Sequence, residues 1–227
     1  APGGLPERVL DGIIAQAVDD VTNSGALYFS SAGNSGSLVK GTSGVFEGDF
    51  NDAGSAAFTG GSKSGTIHNF GTISSPVNGD IITVKGQVYN LTWSDAWSAS
   101  GNDYDLFLVS STGTVKASST NIQSGTQNPY EQVSAVKLVS GDRLVVFKTS
   151  GAATRAFHLN TNRGELSIGT NGQTHGHSSA ANAFSMAATP AHTAFETGYP
   201  TGPYPNPFVS TNQVEPFSSD GPRRIFY

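Results

Sequence analysis

The chain has 227 residues, and 28 glycines and 11 prolines make about one residue in six a turn former. Charged residues account for 13%, hydrophobic residues for 36%, and the formal net charge is −5. These values predict a folded chain with many short elements. They exclude a nucleic-acid surface as partner, because such a surface needs clustered Lys and Arg.

The sequence contains no cysteine, which excludes disulfides, thiolate nucleophiles and zinc–thiolate or iron–sulfur sites. No stretch approaches the roughly 18 consecutive apolar residues that a membrane-spanning helix needs, so we expect no membrane span. Low charge with abundant Ser, Thr, Asn and Gly is typical of exported proteins. We therefore expect a secreted or cell-surface protein whose signal peptide has been removed.

Two elements are predicted at the start of the chain. In residues 7–24 apolar residues recur every three or four positions, which is typical of an amphipathic helix. Gly25 can adopt the left-handed conformation that ends a helix. Residues 26–32 form a nearly continuous apolar run, which predicts a buried strand. Helix, glycine and buried strand make up half of an α/β crossover unit. The apolar helix face comprises Leu10, Ile13, Ile14, Ala17, Val18 and Val21.

The segment from Gly36 to Gly164 lacks any helical period and contains strand-like runs separated by glycine-containing turns. This pattern predicts an antiparallel, jelly-roll-like β-sandwich. The predicted strands are residues 45–50, 66–70, 81–84, 87–93, 104–109, 114–117, 132–138, 143–149 and 155–160.

The composition changes again after Gly172. Residues 178–188 are rich in Ala and Ser and predict a second buried strand, and four prolines in 200–207 predict an extended surface loop. The chain ends in a strand-like apolar stretch at 223–227. Both ends therefore suggest parts of one α/β domain, with the sandwich between them.

Three segments resemble subtilisin-family serine peptidases. Ser-Ser-Ala-Gly-Asn-Ser-Gly at 30–36 resembles the strand end that carries the family's oxyanion-hole asparagine. Pro-Phe-Ser-Ser-Asp-Gly-Pro at 216–222 resembles its Phe-Ser-Ser-x-Gly-Pro strand and turn, and 176–190 resembles the buried strand between the two. The segments follow one another in the family's order.

The intervening block resembles the pre-peptidase carboxy-terminal type of β-sandwich, through the Asp-Tyr-Asp-Leu-Phe-Leu strand at 103–108. The two resemblances together imply a mixed fold, in which an antiparallel β-sandwich is inserted into a partial subtilisin-like α/β domain. We expect the first partial segment at 1–37, the sandwich at 38–164 and the second partial segment at 165–227.

The resemblance implies part of an exported subtilisin-like serine endopeptidase that acts on protein or peptide substrates. It assigns the oxyanion-hole donor to Asn34, and it places Ala32 and Gly33 in the pocket for the residue before the scissile bond. The family's aspartate, histidine and serine motifs are missing, so the chain is expected to be inactive alone. The alternative is that 32–36 is only a strand-ending turn, which these residues favour.

Two groups of residues are candidate metal ligands. His175 and His177 are expected to share one face of a strand, but no third ligand is near in the sequence, so no metal site is predicted there. Asp103 and Asp105 also share a strand face, and with Asn102 or Asp95 they offer oxygen ligands for calcium. The favoured alternative is a hydrogen-bonded strand start that fixes the neighbouring loop.

Two expectations concern partners. Trp93, Trp97 and Tyr104 are either an exposed platform for a peptide or polysaccharide or, as their alternation suggests, sandwich core. A platform is the basis of the alternative function, a β-sandwich binding module that docks protein substrate or glycan. The strands around Tyr28 and Ala183 should leave unpaired edges and exposed apolar area because of truncation, which predicts self-association or domain swapping.

Overall fold

The computed structural model describes residues 13–55, 63–134, 136–189 and 214–221, and this part of the chain is mostly β-sheet. It contains one α-helix, one short 3-10 helix (Gly176–Ser179) and thirteen strands. The helix is α1 (Ile13–Asn23), and the strands are β1 (Tyr28–Ser31), β2 (Val45–Asp49), β3 (Asp52–Ser55), β4 (Gly65–His68), β5 (Asp80–Val84), β6 (Val88–Trp93), β7 (Tyr104–Val109), β8 (Val115–Ser119), β9 (Tyr130–Ser134), β10 (Arg143–Thr149), β11 (Ala156–Asn160), β12 (Glu165–Leu166) and β13 (Ala183–Met186).

The described strands form three sheets. In the largest, β10 pairs along one edge with β7, which pairs with β8. The other edge of β10 pairs with β5 and β4, which continue to β12 and β3. A second antiparallel sheet has the order β2-β11-β6-β9 and faces the first across a shared core. In the third sheet β1 runs parallel to β13, with Tyr28 opposite Ala183.

Strand β6 shows why the sequence forms a sandwich. Successive side chains of a strand point to opposite faces, and in β6 every second residue is buried. Burial of this apolar set against the opposite sheet is the main favourable contribution to folding. The core between the sheets consists of Phe50, Phe70, Ile82, Tyr89, Leu91, Trp93, Tyr104, Leu106, Leu108, Val133, Leu144, Val146, Phe157, Leu159 and Leu166.

Strand β7 is buried along its whole length. Tyr104, Leu106 and Leu108 point into the shared core. Phe107 and Val109 point the other way and belong to a second apolar cluster on the outer face of the large sheet. Burial on both faces explains why this run is almost continuously apolar rather than alternating.

The predicted β-sandwich is confirmed, since each of the nine predicted runs overlaps a strand. The boundaries differ most at β9, which begins at Tyr130 rather than residue 132 and ends at Ser134. Strands β3 and β12 were not predicted. Strand β3 is a short, polar strand (Asp-Ala-Gly-Ser) at the end of its sheet, and it lacks the apolar alternation that identifies a strand from sequence.

The two flanking strands expose apolar area, as predicted for this chain. In β1 and β13 the side chains of Phe29 and Phe184 are 59% and 49% exposed, and their rings stack with centroids 4.9 Å apart. Each strand pairs with only the other among the described residues, and only one face is covered. That cover is small, because it consists of Ala15 and Val18 of α1 with Ala180.

Helix α1 begins at residue 13 in the described part of the chain, so residues 7–12 of the predicted helix lie outside the described residues. Val18 of the predicted apolar face is buried, whereas Ile13 and Ile14 are exposed, because α1 has little to pack against. No helix in the described ranges is long and apolar enough to cross a membrane. The predicted loop at 200–207 and the strand-like end at 223–227 also lie outside the described residues.

His68 is a fully buried histidine in the core of the sandwich. Its Nδ1 accepts a hydrogen bond of 3.0 Å from the backbone N–H of Asn51, so the neutral ring carries its proton on Nε2. Nε2 is buried without a partner among the described residues, and burial lowers the pKa of His68 to about 4. Four aromatic rings surround the imidazole, those of Phe46, Phe50, Phe70 and Phe157.

We predict that His68 makes the fold sensitive to mild acid. The unfolded chain takes up this proton near pH 6.5 and the folded chain only near pH 4, so stability falls as the pH falls between these values. The expected loss of unfolding free energy is about 3 kcal/mol, at about 1.4 kcal/mol per pKa unit. Urea unfolding at several pH values measures it.

The control is His68→Asn, which keeps an acceptor for the Asn51 N–H but does not titrate. Burial raises the pKa values of Asp80 and Asp105 to about 6. Protonation of these two carboxyls therefore stabilises the fold as the pH falls, which opposes the destabilising effect of His68. The difference between the two proteins therefore isolates His68. Parallel stability curves from pH 7 to pH 4 would contradict the prediction.

Candidate functional site

Asn34 lies just beyond the carboxyl end of β1. The parallel pairing continues past the strand, since the Ala32 N–H donates to the Met186 carbonyl at 2.9 Å. Ala32 is buried and Asn34 is exposed. In α/β sheets, ligands bind at the carboxyl ends of parallel strands, and Asn34 occupies that position.

Gly33 gives the chain the sharp turn that presents Asn34. Its φ is +101°, a conformation that residues with a side chain rarely adopt. A Cβ at this position would lie 3.0 Å from the Ser219 Oγ atom, which is closer than nine in ten real Cβ contacts. The backbone conformation and this close approach therefore both favour glycine next to Asn34.

Ser219 binds the residue on each side of Asn34. Its N–H donates to the Gly33 carbonyl at 2.9 Å, and its Oγ accepts from the Ser35 N–H at 3.0 Å. Ser219 is buried, and the next residue of the turn is held by a 3.0 Å bond from the Gly36 N–H to the Phe217 carbonyl. The segments 30–36 and 216–222, which were recognised separately in the sequence, thus form one unit.

The carboxylate of Asp220 joins the two connections between this turn and the sandwich. Oδ2 accepts from the Leu38 N–H at 2.7 Å, and Oδ1 accepts from the Gly172 N–H at 3.2 Å. The Asp220 carbonyl also accepts from the Thr174 N–H at 2.9 Å. The Asp220 side chain therefore holds the segment that leads into the sandwich next to the segment that returns from it.

Gln173 makes a second link in the same place. It is almost fully buried, and its amide satisfies all nearby groups when Nε2 donates to the Ser35 carbonyl at 3.1 Å. Oε1 then accepts from the N–H groups of Gly44 and Val45 at 2.6 and 2.9 Å. The residue after Asn34 is in this way tied to the beginning of β2. We name Ser219, Asp220 and Gln173 the junction residues.

His175 and His177 do not share a strand face, which corrects the sequence-based expectation. His177 lies in the 3-10 helix, where its Nδ1 is 2.9 Å from the hydroxyl of Tyr28 and 3.3 Å from that of Ser30. His175 precedes the helix, and its Nδ1 lies 2.8 Å from the Gln173 carbonyl. In the part of the chain that the structure describes, no three His, Cys, Asp or Glu side chains are grouped so as to hold a metal.

Asp103 and Asp105 do converge, and a lysine lies between them. The Lys63 ammonium is 3.0 Å from Asp103 Oδ2 and 2.9 Å from Asp105 Oδ1. Burial raises the pKa of Asp105 to about 6, which the Lys63 hydrogen bond only partly offsets. Asp103 also accepts from the Thr149 hydroxyl and the Gln123 N–H. These contacts support the hydrogen-bonded strand start, and calcium binding stays a prediction.

The other proposed calcium ligands lie in a separate network. Asp95 Oδ1 is 2.6 Å from Arg155 Nε, and Asn102 donates to both Asp95 oxygens through its side-chain amide. Although burial opposes it, hydrogen bonds from Arg155 and Asn102 lower the pKa of Asp95. Asp95 is therefore a paired, ionised carboxylate that fixes the loop between β6 and β7.

The three aromatic candidates separate into two groups. Trp93 and Tyr104 belong to the core, with ring centroids 5.2 Å apart, so they cannot form a surface platform. Trp97 is 46% exposed. The core interpretation is confirmed for two of the three residues.

Sequence reasoning missed the roles of the junction residues and of Lys63. Ser219 and Asp220 stand inside a recognised motif, yet nothing in their spacing indicates which backbone groups they bind. Gln173 and Lys63 had no signal, because each is an isolated polar residue in a turn-rich stretch. Their contacts depend on how distant segments pack.

No protein-family model and no curated protein matches this chain.

We predict that Gly33→Ala destabilises the protein more than Gly25→Ala does. Both glycines have nearly the same φ, +101° and +98°, but a Cβ at position 25 meets nothing within 4 Å. Gly25→Ala therefore measures the backbone strain alone, about 1 kcal/mol, and Gly33→Ala adds the contact with Ser219. Urea unfolding gives both values, and amide exchange at Ser35 should rise only in Gly33→Ala. Equal losses in both variants would contradict the prediction.

Proposed function

We propose that this chain is part of a subtilisin-like serine endopeptidase and contributes the oxyanion-hole donor Asn34. The observation that carries the proposal is that Ser219 binds both neighbours of Asn34 while the Asn34 side chain stays exposed. An oxyanion donor must be held in place before the reaction, because its contribution comes from not having to reorganise. A merely structural turn does not require an exposed amide at this position.

The chemistry needs a donor that stays neutral. A serine hydroxyl attacks the amide carbonyl, a histidine and an aspartate manage the proton, and the negative oxygen of the tetrahedral state needs N–H donors. The Asn34 amide donates without titrating. Ala32 and Gly33 would line the pocket for the residue before the scissile bond, where their small size leaves room for substrate. The sequence lacks the family's Asp, His and Ser motifs, so these groups must come from another segment.

The sandwich is proposed as an insertion in this α/β domain. An inserted domain needs its two ends close together, and here they bond to each other. The Leu166 N–H donates to the Ser43 carbonyl, the Thr161 N–H to the Gly44 carbonyl and the Thr170 N–H to the Val45 carbonyl, at 2.9, 2.9 and 2.7 Å. Low charge with abundant Ser, Thr, Asn and Gly supports an exported enzyme.

The test is Asn34→Ala in a protein that joins this chain to segments carrying the aspartate, histidine and serine. We expect kcat to fall about 10²- to 10³-fold with little change in KM, a magnitude known from subtilisin itself. The loss falls on kcat because the amide binds an oxyanion that exists only in the transition state and its neighbouring intermediate. Hydrolysis of a chromogenic peptide measures both constants.

Asn78→Ala, at an exposed asparagine in the loop between β4 and β5, is the matched control and should leave both constants unchanged. An unchanged kcat in Asn34→Ala would refute the assignment of the donor. The chain alone should not cleave casein. Robust cleavage by the chain alone, stopped by a serine-directed inhibitor, would overturn the division of the catalytic groups proposed here.

A second prediction concerns the exposed side of β1 and β13. Sheets of parallel strands are normally covered on both faces, and a two-stranded sheet is only marginally stable. We expect the chain to self-associate with rising concentration through Phe29 and Phe184, and the double change to serine to weaken this association. Light scattering after gel filtration measures it, with Ile73→Ser as control at an exposed residue elsewhere. A monodisperse monomer at high concentration would contradict the prediction.

A further inference from the structure

Trp97 is a large aromatic residue held at the surface of the sandwich. The chain contains two tryptophans, and the other, Trp93, is buried in the core. Trp97 lies in the loop between β6 and β7, at a corner of a tight turn closed by a 3.1 Å bond from the Ala99 N–H to the Ala96 carbonyl. Tryptophan is enriched at interfaces, because its large ring gains from being covered while its N–H stays hydrogen-bonded, so a fixed exposed indole suggests a binding surface.

The loop that carries Trp97 is anchored at both ends. Asp95 pairs with Arg155 on one side and accepts a 2.9 Å bond from the Ser100 hydroxyl on the other. Ser100 in turn accepts a 3.1 Å bond from the Trp93 indole N–H. These contacts are buried, so the turn is held against the core. Trp97 is therefore presented by a rigid loop, which reduces the entropy that a ligand must remove.

The residue next to Trp97 is strained. Ser98 has φ +61°, which lies in the left-handed region that few residues other than glycine adopt. The side-chain oxygen of Asn128 holds it there by accepting from the Ser98 N–H at 2.9 Å. Strain of this kind is found preferentially at binding and catalytic sites. The bond also places the Trp97 turn beside the start of β9.

The outer face of the neighbouring strands carries amides and a phenol. On β9, Tyr130 and Gln132 point away from the core, opposite Thr92 and Asn90 of β6. The Tyr130 hydroxyl lies 2.9 Å from Asn90 Oδ1 and 2.5 Å from Gln132 Oε1. One hydroxyl proton cannot serve both amide oxygens fully, so a ligand hydroxyl can supply a second donor. The amide N–H groups supply donors in return.

This surface has no unpaired charge among the residues that form it. Asp95 is neutralised by Arg155, and the Glu131 side chain between Tyr130 and Gln132 is fully buried on the inner side. A phosphorylated or strongly charged ligand would find no counter-ion here. A neutral sugar chain matches all three features, because its C–H faces pack on aromatic rings while its hydroxyls both donate to and accept from amides.

We propose that Trp97, Tyr130 and the amides of Asn90, Asn128 and Gln132 form a binding site for a neutral polysaccharide. The indole is the stacking platform, and the amides fix the orientation of the sugar hydroxyls. Binding here does not depend on peptidase activity, because the site lies wholly within the sandwich. The loss of the peptidase proposal would leave this site unaffected.

The experiment titrates the chain with soluble β-glucan, xylan, galactomannan and starch, and measures retention on insoluble cellulose and chitin. We expect saturable binding to at least one of these, with a blue shift of tryptophan emission and protection from iodide quenching. Trp97→Phe should remove the spectral change, since the buried Trp93 does not respond. Trp97→Ala should weaken binding at least about tenfold.

Ile73→Ala is the control, because it removes an exposed apolar side chain from the loop between β4 and β5, outside both the proposed site and the self-association surface, and should leave binding unchanged. Unfolding midpoints of the variants confirm that each one is folded. The proposal is overturned by absence of binding to every polysaccharide named, or by binding that Trp97→Ala leaves unchanged. It is also overturned if gelatin or casein, and none of the polysaccharides, binds in a Trp97-dependent way, because the surface then recognises protein.

Discussion

Two hydrogen bonds connect Ser219 with residues 186 and 184 positions earlier in the chain. One fixes the carbonyl of Gly33 and the other fixes the N–H of Ser35, so the backbone at Asn34 is held from both sides. The positive φ of Gly33, the parallel pairing of β1 and the exposure of Asn34 all meet at this point. If these bonds were lost, the amide would still be present, but the backbone that carries it would no longer be fixed.

Much of the fold follows from local patterns in the sequence. The nine predicted runs overlap strands because alternation and glycine-rich turns are local signals, and Trp93 points inward as its alternation with polar residues predicts. Trp97 shows the limit of that rule. It has the same parity as Trp93, but β6 ends at Trp93, and Trp97 lies in the turn between Ala96 and Ala99, where it is 46% exposed.

The candidate site was predictable only in part. The segments around Asn34 and Ser219 are recognisable by residue type and order, whereas the bonds between them depend on the packing of distant segments. Burial of the flanking strands depends on what covers them. An apolar run such as 26–32 has the same composition whether or not a neighbouring strand covers it, so composition alone does not decide the burial of Phe29, which is 59% exposed. The position of Lys63 between two aspartates had no sequence signal at all.

The contacts of Asp220 have a consequence for how such proteins change over time. The N–H groups of Leu38 and Gly172 bind the two oxygens of one carboxylate, so the chain leaves and re-enters within about 7 Å. A span this short can be closed by a linker of two or three residues. If the sandwich is an insertion, as proposed above, the residues between Leu38 and Gly172 can be exchanged for another segment while Asp220 still holds the two ends together.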